Sequence, residues 1–243
     1  MNILSVKNLH KSFGGLYAVI ELSFDISEGE ILGLIGPNGA GKTTLFNCIT
    51  GFLVPEKGEI EFESEDLVGL STFQICKKGV ARTFQIERPF LDLSVLDNVV
   101  VAALNRIGSR KKATDFALEM IDFLGLEGQK NYMASELTVV KRKRLEMART
   151  LATQPRILLL DEVMAGLNPN EVDEAVKILK EIHKKGITIM LIEHVMRAVM
   201  AVSDRIIVLN YGAKIAEGLP SDISNNQKVI EAYLGEDSLN AQG

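Results

Sequence analysis

The segment Gly36-Pro37-Asn38-Gly39-Ala40-Gly41-Lys42-Thr43 fits the pattern GxxxxGK[ST] at every defined position. Its glycines let backbone N–H groups turn inward on a polyanion, and the positive end of a following helix strengthens the attraction. Lys42 is placed to reach β- and γ-phosphates, and the Thr43 hydroxyl to ligate Mg²⁺. These residues predict a site for a nucleoside triphosphate with its metal, with Gly36, Pro37, Asn38, Gly39, Ala40, Gly41, Lys42, Thr43 and Thr44 as the binding set.

A second group supplies the remaining chemistry. The apolar run Ile157-Leu158-Leu159-Leu160 ends in Asp161-Glu162. A carboxylate in the place of Asp161 suits Mg²⁺ held through water, and one in the place of Glu162 suits orienting or deprotonating an attacking water. Gln85, in Arg82-Thr83-Phe84-Gln85, and His194, in Ile192-Glu193-His194, sit at a strand end or in a loop, where each can sense a γ-phosphate or, for Gln85, the metal. By spacing alone neither is separable from an ordinary loop residue.

These side chains need a scaffold. The apolar runs 31–35, 157–160, 187–192 and 206–209 are nearly continuous in Ile, Leu and Val, the pattern of parallel strands covered on both faces. Helical spacing begins at Thr43 and stops at Gly51. A second helix covers about 170–185, with Val172, Val176, Leu179 and Ile182 on one side. Strands alternating with helices predict an α/β layered sheet. Residues 5–13 and 19–26 read instead as an antiparallel patch around the Gly14-Gly15 turn. Between about 92 and 152 the chain has no strand-like run and reads as a helical lobe, including a helix over 113–124. The expected organisation is a single domain over 1–243, with a core of about 1–91 and 153–235, the inserted lobe, and a loose polar tail at 237–243.

Composition narrows the role. With 243 residues, 47% hydrophobic and 24% charged, the chain is an ordinary globular one. Its net charge of −5 disfavours general nucleic-acid binding, and Lys141-Arg142-Lys143-Arg144 reads as a solvated helix start. Two cysteines, Cys48 and Cys76, without a CxxC pair predict a reducing setting and no zinc site. The first residues lack the pattern of a signal peptide, and no apolar run approaches a membrane span.

Taken in order, Gly36 to Thr43, Thr83-Phe84-Gln85, Leu158-Leu159-Leu160-Asp161-Glu162 and Ile192-Glu193-His194 resemble the ATP-binding subunit of an ABC transporter, over about residues 2–235. The resemblance implies a P-loop NTPase fold, ATP and Mg²⁺ as ligands, and a head-to-tail dimer with a second ATP-binding subunit, identical or different. It also implies membrane-spanning permease subunits at the cytoplasmic face, with no direct contact to the cargo. It makes Phe13 the aromatic that stacks on adenine, Gln85 the link to the membrane subunit, Glu162 the catalytic carboxylate and His194 the switch histidine. Ala165-Gly166-Leu167-Asn168 resembles the loop that touches the partner's site. Within the family, Phe13-Gly14-Gly15, Gly51-Phe52, Ala165 to Pro169 and Ile230 to Glu236 are similar to branched-chain amino acid importers. The ATPase of lipopolysaccharide export is similar over much of the same ground.

One segment departs from the family. Where a Leu-Ser-Gly-Gly-Gln-like stretch faces the opposite subunit's γ-phosphate, this chain has Leu137-Thr138-Val139-Val140-Lys141. Thr138 keeps a hydroxyl, so it joins the nucleotide-binding set. Val140 replaces a glycine, and a β-branched residue resists unusual backbone angles and close approach to phosphate. That substitution leaves open a nucleotide-binding subunit with weak hydrolysis. Pro89 to Val95, with Phe90, Leu91 and Leu93, is a candidate contact for a permease helix or for packing within the lobe.

Overall fold

Alternation inside the apolar runs decides which layer each residue joins. The computed structural model describes residues 1–240, with side chains through Tyr233. A hairpin of β1 (Asn2–Phe13) and β2 (Leu16–Ser27) leads into β3 (Ile31–Ile35) and α1 (Lys42–Ile49). Next come β4 (Lys57–Phe62), β5 (Glu65–Asp66), α2 (Thr72–Lys78) and β6 (Val80–Arg82). Helices α3 (Val95–Ala103), α4 (Arg110–Phe123) and α5 (Val139–Ala152) follow without an intervening strand. The chain returns with β7 (Ile157–Asp161), α6 (Pro169–Lys184), β8 (Thr188–Ile192), α7 (Met196–Val202), β9 (Arg205–Asn210) and β10 (Ala213–Gly218). It ends in α8 (Pro220–Ser224) and α9 (Gln227–Asn240). Thus α9 runs into the expected loose tail at 237–243, of which 241–243 lie outside the described residues.

The main sheet has the order β10-β9-β3-β8-β7-β6, parallel except for β10. Every residue of β3, β7 and β8 is buried, which explains why these strands read as continuous apolar runs. Ile31, Leu158, Leu160, Ile189 and Leu191 point to one face and pack with the helices of the lobe and α6. Leu32, Leu34, Ile157, Leu159, Met190 and Ile192 point to the other, against Leu45, Phe46 and Ile49 of α1 and the second sheet. Fully burying one such side chain contributes about 1.5–3 kcal/mol.

The second sheet, β2-β1-β4-β5, is antiparallel and is the patch expected near the N terminus. It is larger than the sequence suggested. Strand β4 is Lys-Gly-Glu-Ile-Glu-Phe, with Ile60 and Phe62 buried, too polar and short to signal itself. Edge strand β10 was also unanticipated, for the same reason. Among the described residues no helix is long and apolar enough to cross a membrane.

Candidate functional site

Parallel strands end at one edge of the sheet, and the chemistry-bearing residues collect there. The loop after β3 wraps into α1 with Gly36, Gly39 and Gly41 all at positive φ. Gly41, at φ 101°, caps α1, and a Cβ there would collide with the Ala18 carbonyl oxygen. Glycine is therefore required on steric grounds at this point. Lys42 is buried and its Nζ donates to the carbonyls of Gly36 (2.6 Å) and Pro37 (2.9 Å), so the lysine folds back along its own loop.

Phe13, Asn38, Gly39, Ala40, Gly41, Lys42, Thr43, Thr44, Gln85 and Glu162 line one cleft of about 400 Å³. Phe13 stands at the end of β1, 49% exposed, with the Lys11 ammonium 5.5 Å from its ring centre. Glu162 is reached from two other elements: Gln85 Nε2 donates to its Oε2 at 2.8 Å, and His194 Nε2 lies 3.0 Å from its Oε1. Residues 85, 162 and 194 thus meet although each follows a different strand. Glu162 has φ 52°, a left-handed backbone that costs a non-glycine residue about 1–2 kcal/mol. Its N–H donates to the Ile192 carbonyl at 2.9 Å.

Asp161 is 2% exposed and is held by Arg82, whose Nη2 donates to Oδ2 at 2.5 Å. Arg82 also donates to Asn47 Oδ1 at 2.6 Å, and its guanidinium carbon lies 5.4 Å and 5.3 Å from the Phe46 and Phe84 ring centres. The Asp161 N–H donates to Thr83 Oγ1 at 3.2 Å. Oδ1 of Asp161 is buried without a hydrogen-bond partner. That orphaned acceptor, together with Thr43, which is exposed and lines the cleft, suits a divalent cation completed by phosphate oxygens and water. Among the described residues no group of three or more His, Cys, Asp or Glu forms a metal cage by itself.

Thr138 does not line this cleft. It caps α5, its hydroxyl accepting from Lys141 N–H at a long 3.5 Å. The helix begins at Val139, so Val139 and Val140 form its first turn, with no left-handed backbone. The expected conflict between a β-branched side chain and unusual backbone angles is therefore absent at Val140. Its side chain lines a small cavity of about 50 Å³ with Leu124, Val163 and Leu179, while Val139 stands 62% exposed.

The ABC transporter family pattern matches residues 19–165, more than half the chain. The chain belongs to the ABC transporter family. A branched-chain amino acid ATP-binding cassette transporter pattern matches residues 213–238. The high-affinity branched-chain amino acid transport ATP-binding protein LivG of Salmonella typhimurium is 44% identical over 250 residues, spanning 96% of this chain and 98% of its own. BraF of Pseudomonas aeruginosa, named for the same transport, is 40% identical over the same shares. The crystal structure of another ABC transporter cassette, in its ADP conformation, is 31% identical with a TM-score of 0.88, covering 97% of this chain and 100% of its own. A dimeric bacterial ABC transporter cassette is 26% identical with a TM-score of 0.81, covering 89% and 98%. This cassette is accordingly a P-loop α/β ATPase of the transporter type.

Sequence reasoning assigned no role to Arg82, Asn47 or Glu193. Arg82 and Asp161 are 79 residues apart, and the unlike charges carry no local signal of pairing. Glu193 lay inside a quoted motif, but only the fold reveals that it is buried.

Proposed function

We propose that this cassette is the ATP-hydrolysing motor subunit of an importer for branched-chain or related amino acids. The observation that carries the reading is the convergence of Gln85 and His194 on Glu162, in the cleft built by the Lys42 loop. The amino acid assignment rests on the names of the relatives and on the 213–238 match. The same match favours the importer over the lipopolysaccharide exporter.

In this mechanism the backbone N–H groups of residues 39–43 and the Lys42 ammonium hold the β- and γ-phosphates, and Phe13 stacks on adenine. Asp161 and Thr43, with Gln85, would hold Mg²⁺, which when bound would neutralise charge developing on the phosphates. Glu162 accepts the proton of the attacking water as the γ-phosphorus bond to the bridging oxygen breaks. Gln85 and His194 fix the Glu162 carboxylate, and His194 faces the γ-phosphate. Thr138, outside its own cleft, serves the nucleotide of a second cassette in a head-to-tail dimer, identical or not.

We read the chain as one cassette, core 1–91 and 153–235 with lobe 92–152. It sits at the cytoplasmic face of the membrane through permease subunits, contacting neither nucleic acid nor cargo. A groove of about 250 Å³ that Phe84, next in sequence to Gln85, helps to line supports the docking reading. It is lined by Phe52, Ile75, Arg82, Phe84 and Ala102, with Phe52 and Phe84 edge to face at 5.6 Å. Phe73, Phe90 and Leu91 stand exposed. The test is reconstitution with the permease subunits in vesicles: uptake of labelled leucine should require ATP on the cassette side. Normal leucine uptake with Lys42→Ala in place of the parent cassette would refute the reading.

A further inference from the structure

The chemistry above leaves Glu193 without a task, yet it is a buried carboxylate next in sequence to His194, 2% exposed. Its Oε1 accepts from the Met164 N–H at 2.7 Å. Met164 is itself fully buried in the core. The stretch between is a pair of turns, with Ala165 N–H donating to the Glu162 carbonyl and Leu167 N–H to the Met164 carbonyl, each at 3.2 Å. Three consecutive residues, the last of β8 and the two that follow it, therefore hold the turn after β7. The Ile192 carbonyl takes the Glu162 N–H, the Glu193 carboxylate takes the Met164 N–H, and His194 pairs with the Glu162 side chain. Glu162 stands between the first two attachments in a left-handed backbone that must be imposed on it.

We propose that Glu193 is a positioning residue for hydrolysis: its side-chain oxygen, through the Met164 N–H, holds the strained turn that aims Glu162 into the cleft. The proposal rests on the reading of Glu162 as the proton acceptor. The groups facing Glu193 are the Met164 and His194 N–H groups, the Glu162 carboxylate and, from α5, the Lys143 ammonium, which is also paired with Glu87 at 3.3 Å. Burial pushes the Glu193 carboxyl up to about 7. A neutral acceptor therefore fits the site, and glutamine should serve in its place.

The experiment compares Glu193→Gln, Glu193→Ala and the parent chain in three readouts: kcat and KM for ATP, affinity for a non-hydrolysable ATP analogue, and hydrogen exchange at the Met164 amide. Losing the acceptor in Glu193→Ala should speed Met164 exchange and lower kcat by about tenfold or more each, with analogue affinity unchanged within about twofold. Glu193→Gln should stay within about threefold of the parent in kcat and exchange. The proposal is overturned if Glu193→Ala keeps the parent kcat, if Glu193→Gln falls as far as Glu193→Ala, or if affinity falls in step with kcat. Should Glu193→Ala fail to fold, the parent still decides: a Met164 amide exchanging about 100-fold faster than the Met190 amide of β8 would refute the hold. A parent with no ATP turnover would overturn the ATPase reading, and Met164 exchange in Glu193→Ala against the parent would still judge the hold.

Discussion

Removing Asp161 should expose how much the site depends on the Arg82 pair. Asp161→Ala leaves a guanidinium that is 5% exposed at the side chain, with Asn47 Oδ1 and the Phe46 and Phe84 faces as its remaining described partners. Breaking a buried pair by deleting one partner costs about 3–5 kcal/mol, because the other charge stays buried and uncompensated. The two aromatic faces offset about 0.5–2 kcal/mol of that, so a net loss of about 1–4.5 kcal/mol is expected. Arg82→Ala should cost a similar amount by leaving Asp161 with both carboxylate oxygens unpaired by side chains. The double variant removes both charges, so the summed single losses should exceed the double loss by about 2 kcal/mol or more. The assay is urea unfolding of the four proteins without nucleotide or Mg²⁺. Losses that add to within about 0.5 kcal/mol would refute the claim that the two residues act as a pair.

Other outcomes follow from single positions. Gly41→Ala places a Cβ against the Ala18 carbonyl oxygen at φ 101°, and should weaken ATP-analogue binding by about tenfold or more in a fluorescence titration. Glu193 ionises near 4.5 when unfolded and at about 7 when folded. The folded state thus holds the extra proton between those values, and stability falls as pH rises through that window. Glu193→Gln should remove a loss of roughly 3 kcal/mol between pH 5 and pH 8, read from urea midpoints at both pH values; identical pH slopes would contradict this. Val140→Gly should destabilise by about 1–2 kcal/mol, since glycine disfavours a helical turn and the side chain lines an apolar cavity. It should leave turnover within about threefold, and a tenfold rise would restore the idea that Val140 obstructs a phosphate.

The legible parts of the sequence were those in which one local rule operates alone. Strands β3, β7, β8 and β9 are buried on both faces, so their composition declares them. The Gly36 to Thr43 loop is fixed by backbone conformation and phosphate chemistry, both local. Strands β4, β5, β6 and β10 were not legible, because short or edge strands take their form from neighbours distant in sequence. Glu162, Gln85 and His194 were found as candidates, but their meeting depends on the strand order β3-β8-β7-β6. The reading of Val140 went furthest astray on backbone angle: glycine at a position does not require a glycine conformation, and here the segment is a helix start.

The central claim is that Glu162 activates water in a cleft that binds ATP, and steady-state hydrolysis tests it most directly. Glu162→Gln keeps a side chain able to pair with Gln85 and His194 but cannot take a proton. The parent cassette should turn over ATP, and Glu162→Gln should be slower by about 100-fold or more while binding ATP as tightly. Turnover by Glu162→Gln at the parent rate, or a parent that binds ATP without hydrolysing it, would contradict the account.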